Sequence, residues 1–223
     1  MNSSLKSQNI QLQVDREHSG LRLGMVGLFL AILVIVFIIT NALVSSEGFN
    51  ILAGLVAFGV AAIFTRLADP LMKRWWPSKR SLQMDSNGAR LMLDDKVQAV
   101  IHAEATANVH YWRFKIPRRG RMPRGWYVVA CALQQDDTYL PLYTFASPAQ
   151  TENLSKIKQF TDLHSEKNNK AAIAKGESLR LAGEQRRLRL AEEHRWQAGG
   201  ELSVDDFETF IKQLNEQYVR WNT

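Results

Sequence analysis

The chain has 223 residues, 46% of them hydrophobic, and a formal net charge of +6. Its mean hydropathy is nonetheless −0.21, so apolar and polar material is segregated along it. Residues 23–46 carry no charge, and eighteen more uncharged positions separate Glu47 from Arg66. That pattern excludes a purely soluble protein, and the roughly 160 residues that follow suffice for one modest domain with appendages. A single cysteine, Cys131, excludes an internal disulfide and a four-cysteine zinc site.

The first 22 residues read as a cytoplasmic N-terminal segment. Residues 23–65 read as a transmembrane hairpin. The first span, 23–44, reaches about 33 Å as a helix, enough to cross a hydrocarbon core of about 30 Å. The second, from Gly48 to Thr65, reaches about 27 Å and is just long enough. Between them Ser45-Ser46-Glu47-Gly48 is short and polar, so the helices are antiparallel neighbours. A cleaved signal peptide would have a shorter apolar region and no second span at once behind it. Lys6, Arg16 and Arg22 precede the first span; Arg66, Lys73, Arg74, Lys79 and Arg80 follow the second; the turn has no cation. The positive-inside rule then places both termini in the cytoplasm, at the inner (cytoplasmic) membrane. Gly20-x-x-x-Gly24 and the trio Ala53, Ala57 and Ala61 let helix backbones approach closely, either within the hairpin or between copies. Neither span holds an ionisable residue, which argues against a pump or a self-contained channel.

Residues 66–80 read as an interfacial segment, with Lys73, Arg74, Trp75 and Trp76 as its anchor. Pro70 and Pro77 discourage a continuous helix there. From 81 to 163 the pattern is strand-like. Leu82–Met84 and Ala89–Leu93 flank Asp85-Ser86-Asn87-Gly88, whose Asn-Gly pair supplies the positive φ angles of a tight hairpin. Val97–Ile101 and Val109–Ile116 are further strands, and Trp126–Gln135 and Thr138–Phe145 flank the turn Asp136-Asp137. The β-branched and aromatic content predicts a twisted, largely antiparallel sheet. Ser147-Pro148-Ala149-Gln150 is a capping box with proline at the first helical position. Leu154, Ile157, Phe160 and Leu163 then line one helix face that covers the sheet.

Two N-terminal spans, a Trp-rich basic exit, a β-meander and a Ser-Pro-started helix together resemble bacterial two-span membrane proteins with a cytoplasmic PH-like domain. The organisation is also similar to that of a two-span thylakoid photosystem assembly factor. The resemblance covers about residues 20–163 and implies a small antiparallel β-sandwich or barrel capped by a helix, serving assembly or scaffolding. The expected fold class is thus a membrane α-helical hairpin plus an α+β cytoplasmic domain with C-terminal helices.

Residues 164–223 form a tail in two parts. Glu177–Gln197 is strongly charged, with Leu179, Leu181, Leu188 and Leu190 as apolar points and Glu184–Arg187 and Glu192–Arg195 as pairs of a solvated helix. Gly199-Gly200 ends it. Ser203-Val-Asp-Asp206 reads as a second capping box. The stripe Phe207, Phe210, Ile211, Leu214, Tyr218 and Trp221 must bury against something, either its own domain or a partner.

Arg113, Lys115, Arg118, Arg119, Arg121 and Arg124 form a run of six cations without an acid, matching the whole chain's +6. Pro117, Gly120, Pro123 and Gly125 keep them in a loop. The run fits anionic lipid or an acidic protein partner; a solubilising loop and nucleic acid are the alternatives, the latter without an accompanying motif. His18, His102, His110, His164 and His194 are scattered, and His102, Glu104 and His110 lack metal-ligand spacing. Cys131 reads as a buried small hydrophobe. Asp94-Asp95 and Asp136-Asp137 read as turns. No phosphate loop, dinucleotide fingerprint or nucleophile elbow is present. The expectation is a non-enzymatic scaffold, assembly factor or accessory subunit of a membrane complex, with no cofactor or metal, working with protein partners or as a homo-oligomer. The alternative is a membrane-tethered enzyme, or a nucleotide- or nucleic-acid-binding protein, with dispersed site residues.

Overall fold

A computed structural model describes residues 9–15, 18–43, 50–116, 122–163 and 179–222. It divides into two compact units, 16–78 and the combination of 1–15 with 79–223.

The first unit is a pair of helices, α1 (Ser19–Leu43) and α2 (Ile51–Trp75). Both are long and apolar enough to cross a membrane. Their apolar side chains face outward: Leu23, Val34, Ile38, Leu55, Phe58 and Ile63 are all exposed. A helix at the core of a soluble protein would bury such residues. Buried instead are Ala53, Ala57 and Ala61, the stripe expected to close the hairpin. Several polar side chains bond to backbone on their own helix. Thr65 Oγ1 donates to the Ala61 carbonyl at 2.7 Å, Thr40 Oγ1 donates to Val36, and Asn50 caps α2 by accepting from the Leu52 N–H at 2.9 Å. The polar turn Ser45–Gly48 lies outside the described residues.

One boundary differs from the sequence reading. α2 runs through Pro70 to Trp75. A proline removes one helix N–H and crowds one carbonyl, and here the flanking turns carry the helix across it, with Lys73 paired to Asp69 at 2.9 Å. Gly20 and Gly24 make room for an indole: a Cβ at Gly24 would lie 3.0 Å from the Trp76 ring.

The second unit is an α+β fold of two sheets. One has the order β1-β2-β3-β4, with β1 (Ile10–Val14), β2 (Arg80–Asp85), β3 (Gly88–Leu93) and β4 (Lys96–His102), all antiparallel. β1 corrects the expected N-terminal segment 1–22: it is a strand, and Val14 pairs with Arg80. The apolar helices are therefore an insertion between two neighbouring strands of one ladder. Only Leu12 and Val14 of this five-residue strand are buried, too short an alternation to stand out beside the spans.

The other sheet is built on β5 (Asn108–Lys115), β6 (Tyr127–Gln135) and β7 (Thr138–Ala146). Short parallel strands extend both edges, β8 (Thr161–Asp162) beside β5 and β9 (Gly200–Glu201) beside β7. Between β7 and β8 lies α3 (Pro148–Ile157), opened by the expected Ser147 capping box with both of its hydrogen bonds in place. It ends at Ile157, short of the expected face; Phe160 is buried on the connection to β8 and Leu163 follows that strand. α4 (Leu179–Ala198) and α5 (Val204–Gln217) follow, with a 3-10 turn at Val219–Asn222.

The turns work as read, with one change. Asp94 and Asp136 take positive φ as hairpin residues. At Ser86-Asn87 it is Gly88, not Asn87, that has positive φ, and Asp85 Oδ1 accepts from the Asn87 N–H at 2.7 Å. Gly88 has a second reason: any Cβ there would stand 1.9 Å from the Ile101 carbonyl.

The core lies between the sheets: Leu12, Val14, Leu82, Met84, Leu91 and Ile101 from one, Val129, Cys131, Leu133, Leu140 and Leu142 from the other. Gln135 stitches the sheets at a corner, accepting from the His102 N–H at 2.9 Å and donating to the His102 carbonyl at 3.1 Å. Phe207, Phe210, Ile211, Leu214, Tyr218 and Trp221 join this same core. The C-terminal stripe thus docks on its own domain. Ser203 Oγ accepts from the Asp206 N–H at 3.2 Å and donates to the Asp206 carboxylate, without the reciprocal bond of a full capping box.

The charged helix is the largest correction. α4 is packed rather than solvated, lying on the outer face of the five-stranded sheet, where Leu188 and Ala191 meet Trp112, Ala130 and Ala132. The alanines of β6 let the helix approach closely, and polar groups complete the seam. Trp112 Nε1 donates to Glu192 at 2.9 Å, Gln185 Nε2 donates to the Asp162 carbonyl at 3.0 Å, and Thr161 Oγ1 bonds Glu184 at 3.1 Å. Arg195 is buried, paired with Glu192 at 2.6 Å and set over the Tyr143 ring at 4.6 Å. Of the four leucines expected as apolar points, Leu188 is buried and Leu190 exposed, while the Leu179 and Leu181 side chains lie outside the described ones. The segments expected at 81–163 and 164–223 accordingly share one compact unit.

Candidate functional site

The six-cation run separates into three groups. Arg113 is a structural tie: its Nε donates to Asp162 at 2.8 Å and its Nη1 to Ser155 Oγ at 3.2 Å, holding β8 and α3 against β5. The hydrogen bond to Asp162 raises the guanidinium pKa further above its already high value. Lys115 and Arg124 are exposed. They stand at the base of the β5–β6 connection, which is closed by the Ile116 N–H donating to the Trp126 carbonyl at 2.7 Å. Arg118, Arg119 and Arg121 lie outside the described residues.

Lys73, Arg74, Trp75 and Trp76, expected as an interfacial anchor, occupy the last turn of α2 and its C-cap. Trp75 is 82% exposed. Trp76 packs edge-on to His18 at 5.8 Å between centroids, and His18 Nε2 bonds the Trp76 carbonyl at 3.1 Å. His18 Nδ1 accepts from the Leu21 N–H, so the same imidazole caps α1. The two tryptophans therefore differ: Trp75 points outward, and Trp76 closes the open end of the helix pair.

A cluster not singled out in the sequence sits where the chain leaves the β domain at Asp15 and returns at Lys79. Arg80 Nη1 donates to Asp15 Oδ2 at 2.8 Å and to the Gly199 carbonyl at 3.0 Å; Nη2 donates to the Ala198 carbonyl at 2.6 Å; Nε donates to Gln98 at 2.7 Å. A cation there satisfies carbonyls left over at the C-terminus of α4 and meets its dipole favourably. The Asp15 carboxylate also accepts from the Glu201 N–H at 2.9 Å. One guanidinium thus joins both ends of the insertion to the α4–β9 corner. No motif announces it, because its partners lie 65 and about 119 positions away in sequence.

Beside that corner is an open depression of about 460 Å³, lined by Phe114, Ile116, Met122, Val128, Tyr143, Phe145, Glu192, Arg195, Trp196 and Gly199. Trp196 is 79% exposed. A second cleft, about 580 Å³, is more polar and includes His110, Tyr111, Gln134, Lys158, Glu184 and Arg187. His110 Nε2 bonds Gln134 at 3.1 Å, and the Lys158 ammonium stands 4.8 Å over the Tyr111 ring. Burial pushes the Tyr111 hydroxyl and the Cys131 thiol far up, which leaves both protonated and unreactive as nucleophiles. Among the described residues no group of three or more His, Cys, Asp or Glu side chains is placed to hold a metal ion.

No protein-family model matches the chain, and no curated protein or solved structure matches it either.

Proposed function

We propose that this is an integral membrane protein in which α1 and α2 span the bilayer as a hairpin and hold the β domain at the cytoplasmic surface. There the domain, PH-like in its two facing sheets closed by a C-terminal helix, serves as a scaffold, assembly factor or accessory subunit. It offers lipid headgroups or an acidic protein partner the cations Lys115 and Arg124, with Arg118, Arg119 and Arg121 between them in sequence.

The observation that carries this reading is the pairing of Val14 with Arg80 across the inserted helices. A strand before the hairpin and a strand after it meet in one ladder, so both must be on the same side of any bilayer the helices cross. Outward-facing apolar side chains on α1 and α2 support the span itself. The excess of Lys and Arg flanking the helices supports the cytoplasmic side.

Two measurements test it. In intact cells an impermeant thiol reagent should label Ser46→Cys and leave Thr223→Cys unlabelled; the native Cys131 is buried and silent. Labelling of Thr223→Cys alone overturns the topology. Purification in mild detergent should bring down stoichiometric protein partners. A monomer carrying a small molecule in the polar cleft would favour a membrane-tethered enzyme instead.

A further inference from the structure

Trp196 is the most exposed large apolar side chain described outside the two apolar helices. An indole so placed wets a large apolar surface, and tryptophan is enriched where one part of the ring meets lipid and the other water. Its position in the fold is informative. It lies two residues before Ala198, whose carbonyl Arg80 holds, and it shares the open depression with Gly199, which Arg80 also holds. Arg80 directly follows Lys79, where the chain returns from the apolar helices. Leu93, the ladder partner of Arg80, is another exposed apolar residue at this end. Exposed Lys79 adjoins Arg80 in sequence, and exposed Lys115 and Arg124 lie within two residues of Ile116 and Met122, which line the same depression.

Chain length fixes how far that end can stand from the helix ends. Four residue steps join Trp75 to Lys79 and four join Asp15 to Ser19, so each link reaches at most about 14 Å fully extended. That is about twice the depth of one headgroup layer, so the end of the domain stays beside the lipid surface. A surface held this near a bilayer by two short links has lipid as its natural partner, and exposed aromatic and cationic side chains suit headgroups.

We propose that the end of the β domain bearing Asp15, Lys79 and Trp196 rests on the lipid surface, with the Trp196 indole immersed at headgroup level. This rests on the membrane reading of α1 and α2. It assigns the α4 C-terminus, rather than the basic connection alone, as the lipid contact. The turn at Ser86-Asn87 occupies the opposite end of the four-stranded sheet and faces water.

The test uses the full chain in nanodiscs of phosphatidylcholine and phosphatidylglycerol, spin-labelled at one introduced cysteine at a time, with buried Cys131 left in place. The positions are Trp196→Cys, Gln197→Cys (which keeps the indole), Asn87→Cys and Leu30→Cys. Collisions with oxygen and with a water-soluble nickel chelate report depth. The expected result is nickel shielding at 196 and 197, free nickel access at 87, and high oxygen access at 30. Nickel access at 196 and 197 equal to that at 87, with position 30 still in lipid, overturns this proposal and leaves the span intact. Free nickel access at 30 overturns the span, and this proposal with it.

Discussion

Arg80 ties the start of β2 to the end of β1, to β4 and to the C-terminus of α4. Its fork bonds Asp15, Gln98 and the last carbonyls of α4 at once. Removing it leaves Asp15 and two carbonyls without their cation in a half-buried corner. Arg80→Ala should therefore cost about 2–4 kcal/mol of stability, read as a lowered unfolding midpoint in detergent. Arg80→Lys should recover only part of this, because an ammonium cannot reproduce a planar fork; full recovery would show that charge alone matters. Tyr218 is a second such residue. Its hydroxyl donates to the carbonyls of Asp85 and Gly88, fastening the C-terminal turn to the β2–β3 hairpin. Burial raises its pKa to about 12. An unfolded tyrosine ionises near pH 10, so above that the unfolded state loses a proton that the folded state keeps. Stability from this group is therefore fully present below about pH 10 and is lost as pH climbs toward 12. Tyr218→Phe should be less stable at neutral pH and show a shallower alkaline decline, measured as unfolding midpoint against pH; a decline as steep as the wild type's would assign the effect elsewhere.

Among the elements, those with a strong local signal are legible in the sequence alone. The hairpin turns, the Ser147 cap and the C-terminal stripe each rest on neighbouring residues whose chemistry forces a local conformation. The packing of α4 is not legible in the sequence because its buried face is made from small and polar groups: Ala191 against Ala130 and Ala132, Glu192 on the Trp112 N–H, Arg195 over Tyr143. Those side chains look solvated until the sheet that receives them is known. β1 leaves little trace in the sequence because its five residues bury only two side chains. The basic run was legible as a loop but not as a set of separate duties, since nothing near Arg113 in sequence points to Asp162. The packing of α4 gives a sharp prediction. Ala191→Glu would press a carboxylate into an apolar seam, a penalty of several kcal/mol unless the helix lifts, so α4 should undock. Limited proteolysis should then cut within 179–198 much faster than in the wild type. Leu190→Glu, one position away and exposed, should leave the rate unchanged. Equal rates for the two variants would mean that α4 is solvated after all.

For the whole molecule, the insertion of the helix pair into a β ladder sets what can be cut and what cannot. Val14 and Arg80 are opposed in antiparallel register, a separation of about 5 Å between Cα atoms. A short glycine-rich turn can span that distance as it does in any hairpin. Replacing 16–78 with such a turn should therefore yield a folded β domain, since its core, both sheets and Asp15–Arg80 pair remain. A fragment beginning at Lys79 lacks β1. It loses Leu12 and Val14 from the core, each worth about 1.5–3 kcal/mol, and leaves β2 as an unpaired edge open to aggregation. It also deprives Arg80 of Asp15 and Glu201 of its carboxylate acceptor. Denaturant unfolding followed by circular dichroism should show a cooperative transition for the joined protein, with the Lys79 fragment several kcal/mol weaker or aggregated. If the two unfold alike, β1 contributes little, and the ladder no longer supports the proposal that both flanking segments lie on one side of a bilayer. If they differ as expected, the hairpin is a removable insert. The β domain can then be studied alone, provided that its first fifteen residues are kept.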